Sequence, residues 1–272
     1  MTENSTIPIA TIGAGKMASA IVKGVLAQGI YKPDQIGCVC GNDQTGPELA
    51  KNTGIHYFQR ADELLQPGQV VLLACKPQQL EQLSGGITVG LKDSLLVSIL
   101  AGIKLEKLQQ HFGDARNIVR CMPNTPGKIG AGVSAFSPLN PLNESDLMYV
   151  ESILGALGIF KELPEHQLDA VTAISGSGPA YVFELASSMK EAAESAELPS
   201  SIADLLTRET ILGAAKLLVE SNESPEALRD AVTSPGGTTE AALQVLGQSS
   251  ESFRKQINDA VQASRARSKE LS

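Results

Sequence analysis

The stretch IATIGAGKMASAIVKGVL, residues 9–26, constrains this chain more than any other part of it. A β-rich run ends in Gly13-Ala14-Gly15, and residues 17–28 then read as a helix. The pattern is GxGxxA in a strand–turn–helix context. Gly13 permits the tight turn, Gly15 lets the backbone approach a pyrophosphate, and Ala18 keeps the helix close to the sheet. The free N–H groups of the first helical turn then face the anion. On this motif alone the alternative, a glycine turn with no ligand, stays open.

The rest of the first half alternates between strand and helix. Strands are predicted at 35–40, 56–58, 70–75, 95–100, 117–122 and 132–136, with the first at 7–12. Helices are predicted at 45–54, 61–65, 77–83 and 105–112, and a helix at 144–157 precedes a last edge strand at 158–163. Near-continuous apolar strands in a βαβ rhythm call for a mostly parallel sheet covered on both faces. From 164 onward no strong strand appears. Helices are predicted at 179–197, 201–221, 225–232, 238–246 and 251–269, separated by breakers such as Leu198-Pro199-Ser200 and Ser234-Pro235-Gly236-Gly237. The expected organisation is an α/β Rossmann-type domain over 1–163 and an all-α domain over 164–272. The second domain's helices are rich in small residues, as in ELASSMKEAAESA and ETILGAAKLLVE, which allows close helix approach. Some of their apolar positions are hard to cover in so small a bundle. This favours a homodimer built on this domain, against a self-contained bundle.

Composition narrows the function classes. With 22 basic against 30 acidic residues the net charge is −8, which disfavours nucleic acid as a general partner. The uncharged stretch at 94–103 is too short to span a bilayer, and the N-terminal residues lack a basic region followed by an apolar one. A soluble cytoplasmic protein without a membrane partner is expected. Cys38, Cys40, Cys75 and Cys121 form no CxxC and have no neighbouring His, so they read as reduced thiols, with no metal site. The second predicted strand ends in CVCGNDQTG. Asn42 could donate to a phosphate. Asp43 reads equally as a carboxylate that would repel a 2′-phosphate or as a solvated turn residue.

Five segments together carry a resemblance: IGAGKMASAIVKG at 12–24, LLACKPQ at 72–78, VRCMPNTPGKIGAG at 119–132, SGSGPAYVFE at 175–184 and DAVTSPGGTT at 230–239. The chain resembles the pyrroline-5-carboxylate reductases over nearly its whole length. The resemblance implies a Rossmann-type first domain and an all-helical dimerisation domain, the 6-phosphogluconate dehydrogenase-like architecture. It implies dimers that often assemble further, and an active site between the domains with groups from the partner subunit. Its reaction is hydride transfer to the C=N bond of 1-pyrroline-5-carboxylate, giving L-proline, with NADPH as cofactor and NADH as the alternative. By position, Gly13, Gly15, Lys16 and Met17 resemble the pyrophosphate loop, and Asn42 the residue near the 2′-phosphate. Ala74, Lys76 and Pro77 resemble the loop flanking the cofactor, and Met122, Pro123 and Asn124 the segment beside the nicotinamide. Ser234, Gly236, Gly237, Thr238 and Thr239 resemble the loop that takes the substrate's carboxylate and ring nitrogen. The chain departs from the family at Asp43, where many NADP-using relatives are basic, at Ser187, where Glu is usual, and at Glu209-Thr210, where Gln-Thr is common.

The residues themselves suit that chemistry. A protonated cyclic imine is already electrophilic, so no strong protein acid is required at the moment of transfer. His56, His111 and His166 all stand outside glycine- or Thr-rich loops and read as surface or capping residues. In Ser234-Pro235-Gly236-Gly237-Thr238-Thr239, two glycines before a helix start offer successive N–H groups as a nest for a carboxylate. Its hydroxyls can serve the ring nitrogen, with Thr239 and Ser234 as the catalytic candidates and Thr239 the foremost. Ser177 sits in a second small-residue helix start and is a candidate substrate contact. Each of these loops also reads as a plain capped turn when taken alone. Two rivals to the reductase are a hydroxy-acid dehydrogenase of the same architecture and a dinucleotide-binding protein without turnover.

Overall fold

The computed structural model describes residues 7–83, 89–248 and 252–271, so the N-terminal reading at 1–6 and the expected helix start at 251 lie outside the described residues. The chain forms two compact units, Met1–Ser177 with Ser264–Ser272, and Gly178–Ala263. This differs from the expected division at 163/164. Residues 164–177 belong with the sheet because Leu168 and Ala173 are fully buried there and Arg120 pairs with Glu165 and Asp169.

The first unit contains, in chain order, β1 (Ile9–Ile12), α1 (Lys16–Ala27), β2 (Ile36–Val39), α2 (Thr45–Thr53), β3 (His56–Phe58), α3 (Ala61–Leu64), β4 (Val70–Leu73), α4 (Leu80–Leu83), β5 (Leu95–Ser98), α5 (Leu105–His111), β6 (Asn117–Met122), β7 (Gly132–Pro138), α6 (Glu144–Gly155), β8 (Gly158–Glu162) and α7 (Leu168–Val171). The strands join in the order β3-β2-β1-β4-β5-β6-β7-β8. All pairs are parallel except β6 with β7. Because strand side chains alternate faces, each central strand feeds two cores. Ile9, Val70, Leu72, Leu95 and Val97 join the layer under α1 and α6. Ala10, Ile12, Val71, Leu73 and Leu96 join the opposite layer with Leu64, Leu105 and Leu108. Both faces are covered, which is why these strands read as unbroken apolar runs. Each fully buried Leu or Val here contributes about 1.5–3 kcal/mol relative to exposure. The order 3-2-1-4-5-6 reverses direction between β1 and β4, and the carboxyl ends of those strands bound the crevice where such sheets take ligands.

The second unit contains α8 (Gly178–Ser195), α9 (Ser200–Glu220), α10 (Pro225–Ala231), α11 (Thr238–Gln248) and most of α12 (Phe253–Glu270). The α8–α9 turn closes with Leu198 N–H donating to the Ala193 carbonyl at 3.1 Å and Glu197 in the left-handed region. Helix α10 starts with Pro225 in its first turn and the Ser224 hydroxyl accepting from Ala227 N–H. Among the described residues of this unit only Ala203 and Thr207 are buried, while Phe183 is 65% and Val219 84% exposed. Among the described residues, no helix is long and apolar enough to cross a membrane.

Candidate active site

The turn between β1 and α1 is fixed by contact. Gly13 has φ +102°, and a side chain there would lie 2.5 Å from the Ala74 carbonyl oxygen, so the exits of β1 and β4 touch. Gly13 N–H donates to Val39 O and Ala74 N–H to Ile12 O, both at 2.8 Å, which ties β2, β1 and β4 together at one level. Gly15 differs, since a side chain placed on it meets nothing within 4 Å. Helix α1 has Gly15 at its N-cap, no side-chain cap and no acidic residue in its first turn. An uncapped helix start beside open space at a strand-order switch point is a place for an anion. Lys16 is exposed at this start, and Met17 packs onto the core. These features fit the pyrophosphate of a dinucleotide.

Around that turn lie the other residues singled out in the sequence. Asn42 is exposed in the β2–α2 turn. Asp43 accepts from both the Thr45 N–H, at 2.9 Å, and the Thr45 hydroxyl. These donors, with Lys76 adding a smaller attraction, hold the Asp43 carboxyl below its ordinary value. After β4, Lys76 N–H donates to Gln79 Oε1 at 3.0 Å, and Pro77 opens the short turn Pro77–Gln79. That turn replaces the first part of the helix expected at 77–83. After β6, Pro123 and Asn124 are buried, and Asn124 Oδ1 accepts from Val133 N–H at 3.0 Å. The Asn124 carboxamide oxygen therefore pins the start of β7.

The segment before α8 carries an element absent from the sequence reading. Residues Thr172–Gly176 form a π-helical turn, with Ser177 N–H donating to Thr172 O at 2.8 Å. The Thr172 and Ser175 hydroxyls donate back to Leu168 and Val171 carbonyls. Single π-turns of this kind concentrate at functional sites. Here the turn brings Gly176 against Met122, whose Cε lies 2.5 Å from where a side chain on Gly176 would start. Ser177 shares a 2.9 Å hydrogen bond with Ser264. Beneath it, Arg120 is buried and pairs with Glu165 at 3.0 Å and Asp169 at 3.7 Å. Glu165 also accepts from Leu105 N–H, and Asp169 from the Ser268 hydroxyl. No sequence signal marks these partners of Arg120, which lie far along the chain.

In the second unit, Ser234, Gly236, Gly237, Thr238 and Thr239 form the turn into α11. The expected nest is corrected here. Gly237 N–H donates to Ser234 O at 2.9 Å, and Gly236 N–H donates to Glu240 Oε2 at 2.7 Å. Both glycine donors are thus satisfied internally, because Glu240 folds back one turn over a Gly236 held at φ +72°. The turn offers hydroxyls rather than a pair of free glycine N–H groups. Of the histidines, His111 Nδ1 lies 2.9 Å from the Lys107 carbonyl, and His56 and His166 are exposed. Lys190 pairs with Glu194 along α8 at 3.7 Å. All four cysteines are free, and burial pushes the Cys38 and Cys75 thiols up to about 11. Among the described residues, no group of three or more His, Cys, Asp or Glu side chains is placed to hold a metal ion.

A doubly wound sheet with an anion-ready turn at its switch point, followed by a helical unit, defines a dinucleotide-dependent oxidoreductase of two-domain type. A profile described as pyrroline-5-carboxylate reductase dimerisation matches residues 165–271, and one described as NADP oxidoreductase, coenzyme F420-dependent, matches 8–102. The chain is 38% identical over 266 residues to a pyrroline-5-carboxylate reductase of Synechocystis sp., covering 98% of each. Among solved structures, a pyrroline-5-carboxylate reductase from Coxiella burnetii matches with TM-score 0.88 and 35% identity, covering 98% of this chain and 99% of that one. The Plasmodium falciparum pyrroline carboxylate reductase, solved with NADP bound, matches with TM-score 0.87 and 31% identity, covering 97% and 98%. The chain belongs to the pyrroline-5-carboxylate reductase family.

Proposed function

We propose that this chain reduces the C=N bond of 1-pyrroline-5-carboxylate to L-proline, using NADPH. The observation that carries the reading is the contact of Gly176 with Met122, which brings the SGSG segment against the exit of β6. When bound, the cofactor supplies the hydride. The protein's task is to hold two carbons close, orient them and satisfy the substrate's charges. In this reading Gly13, Gly15, Lys16 and Met17 form the pyrophosphate cradle, and Asn42 and Lys76 attend the adenosine end with Ala74 and Pro77 behind them. Met122 and Asn124 form a stiff wall at the nicotinamide end. Ser177 borders the substrate. Thr239 serves the ring nitrogen, and Ser234 and Thr238 add hydroxyls. With the Gly236 and Gly237 N–H groups engaged, the substrate carboxylate binds those hydroxyls or displaces Glu240 from Gly236.

The hydroxy-acid dehydrogenase reading needs a Lys or His projecting into the site. The Lys190–Glu194 pair and the positions of the three histidines count against it. The second unit is proposed to form a homodimer, with larger dimer-based assemblies built on it. Its exposed Phe183, Leu205, Leu212, Leu217 and Val219 support this, since soluble monomers rarely leave so much apolar surface uncovered. A cytoplasmic location goes with four free thiols. The test is oxidation of NADPH on adding 1-pyrroline-5-carboxylate, with proline identified as product. Tight NADPH binding with no turnover would leave a non-catalytic binding protein.

A further inference from the structure

The β2–α2 turn contains a carboxylate where a NADP-binding sheet is better served without one. In doubly wound folds an acidic side chain at this place takes the ribose hydroxyls and repels a 2′-phosphate. Asp43 is such a residue, yet its Oδ1 is already engaged by two donors from one neighbour, the N–H and the hydroxyl of Thr45. The turn is tightened further by Asp43 N–H donating to Gly41 O at 2.8 Å. Thr45 itself cannot drift. It is half-buried as the first residue of α2, and the next residue, Gly46, is packed so closely that a side chain there would lie 2.7 Å from Cys40 Sγ and from the Tyr57 ring. Asn42, next to this clasp, remains exposed. Lys76, in the segment after β4, adds a small attraction to the Asp43 carboxylate.

We propose that Thr45 determines the cofactor's 2′ specificity by clasping the Asp43 carboxylate to the start of α2, so that a chain with an acidic residue in this turn still accepts a 2′-phosphate. The inference rests on the NADPH reading above. With the clasp closed, the Asp43 carboxylate is turned toward the start of α2, where its Oδ1 is engaged by the Thr45 N–H and hydroxyl. Asn42 in the turn and Lys76 after β4 are left as the polar and cationic groups. The Thr45 hydroxyl is the strongest of the contacts on Asp43, and without it the carboxylate is freer to take the ribose hydroxyls instead. Thr45 is thus a positioning residue acting through Asp43.

The experiment uses the full chain and its Thr45→Val, Thr45→Ser, Asp43→Asn and Asp43→Asn/Thr45→Val variants. Calorimetric titration with adenosine 2′,5′-bisphosphate and with adenosine 5′-monophosphate reads binding without turnover. The NADPH-to-NADH ratio of kcat/KM is measured alongside. Thr45→Val should lower the preference for the bisphosphate on the order of ten-fold, as for one carboxylate brought within a few ångströms of a phosphate at an exposed site. Thr45→Ser, which keeps the hydroxyl, should behave as the unsubstituted chain. In the Asp43→Asn background, Thr45→Val should change nothing, because the effect runs through that charge. A preference for the bisphosphate that survives Thr45→Val, or one lost equally with and without Asp43, overturns the clasp alone. Equal binding of both probes by the unsubstituted chain overturns the NADPH reading and the clasp with it.

Discussion

Two glycine turns open helices in this molecule, and they are prepared in opposite ways. The turn Gly13-Ala14-Gly15 stands on β1, a strand buried on both faces, and it leads into α1 without a side-chain cap or an acid in the first turn. The turn Gly236-Gly237 stands on helices that bury almost nothing, and its two glycine N–H groups are taken by Ser234 O and by Glu240. The first turn is kept open by a rigid scaffold, as a site for a large, permanently charged anion requires. The second is closed by its own carboxylate and is carried on a unit with much exposed apolar surface. Similar glycine composition therefore conceals a preformed site in one place and a self-satisfied one in the other.

The most severe way to break this contrast is to fill the first turn. Gly13→Val places a branched side chain at φ +102° and onto the Ala74 carbonyl, which costs at least about 1–3 kcal/mol from backbone conformation alone. NADPH titration should show binding lost, with kcat/KM down on the order of a hundred-fold or more. Unchanged affinity would mean that this turn is not the cradle. The next largest effect should come from the second unit's scaffold. Leu212, 47% exposed on α9, lies on the face proposed to meet a second copy. Leu212→Asp should convert a dimer to a monomer by light scattering and reduce activity on the order of ten-fold or more, as for charge placed in an interface core. A dimer that persists would remove that face from the interface.

The same contrast explains what the sequence made legible. The strands and the first turn were readable because their causes are local. Near-continuous apolar runs in the central strands, as in VVLL of β4, imply burial on both faces, and GxGxxA after a strand has few other uses. The role of Arg120 is not legible in the sequence, since its partners Glu165 and Asp169 are set by tertiary contact 45 or more residues away. The π-turn at Thr172–Gly176 left no periodic signal. It depends on hydroxyl-to-carbonyl bonds and on the packing of Gly176 against Met122. The nest expected at Gly236 and Gly237 does not form, for a related reason. Pattern shows that two glycines precede a helix, but not that a Glu four residues on folds back to occupy a donor.

Within the second turn, a hydroxyl should matter more than the carboxylate that closes it. Thr239→Ala removes a polar contact to a charged ring, and kcat/KM for 1-pyrroline-5-carboxylate should fall roughly ten- to hundred-fold with NADPH affinity unchanged. Equal loss of cofactor affinity would put Thr239 in the wrong site. The smallest effect tests the closure itself. Glu240 is half-buried and sits 2.7 Å from Gly236 N–H, in the loop proposed to receive an anionic substrate. Its charge opposes that arrival, while its hydrogen bond keeps the turn in shape. Glu240→Gln separates the two, because the amide oxygen can still accept from Gly236 whereas the charge is gone. The KM for 1-pyrroline-5-carboxylate should fall by about two-fold, the scale of one partly screened charge, with kcat unchanged. The gain should shrink as salt is added. A KM that rises instead would mean that the ionised carboxylate braces the turn for the substrate rather than standing in its place.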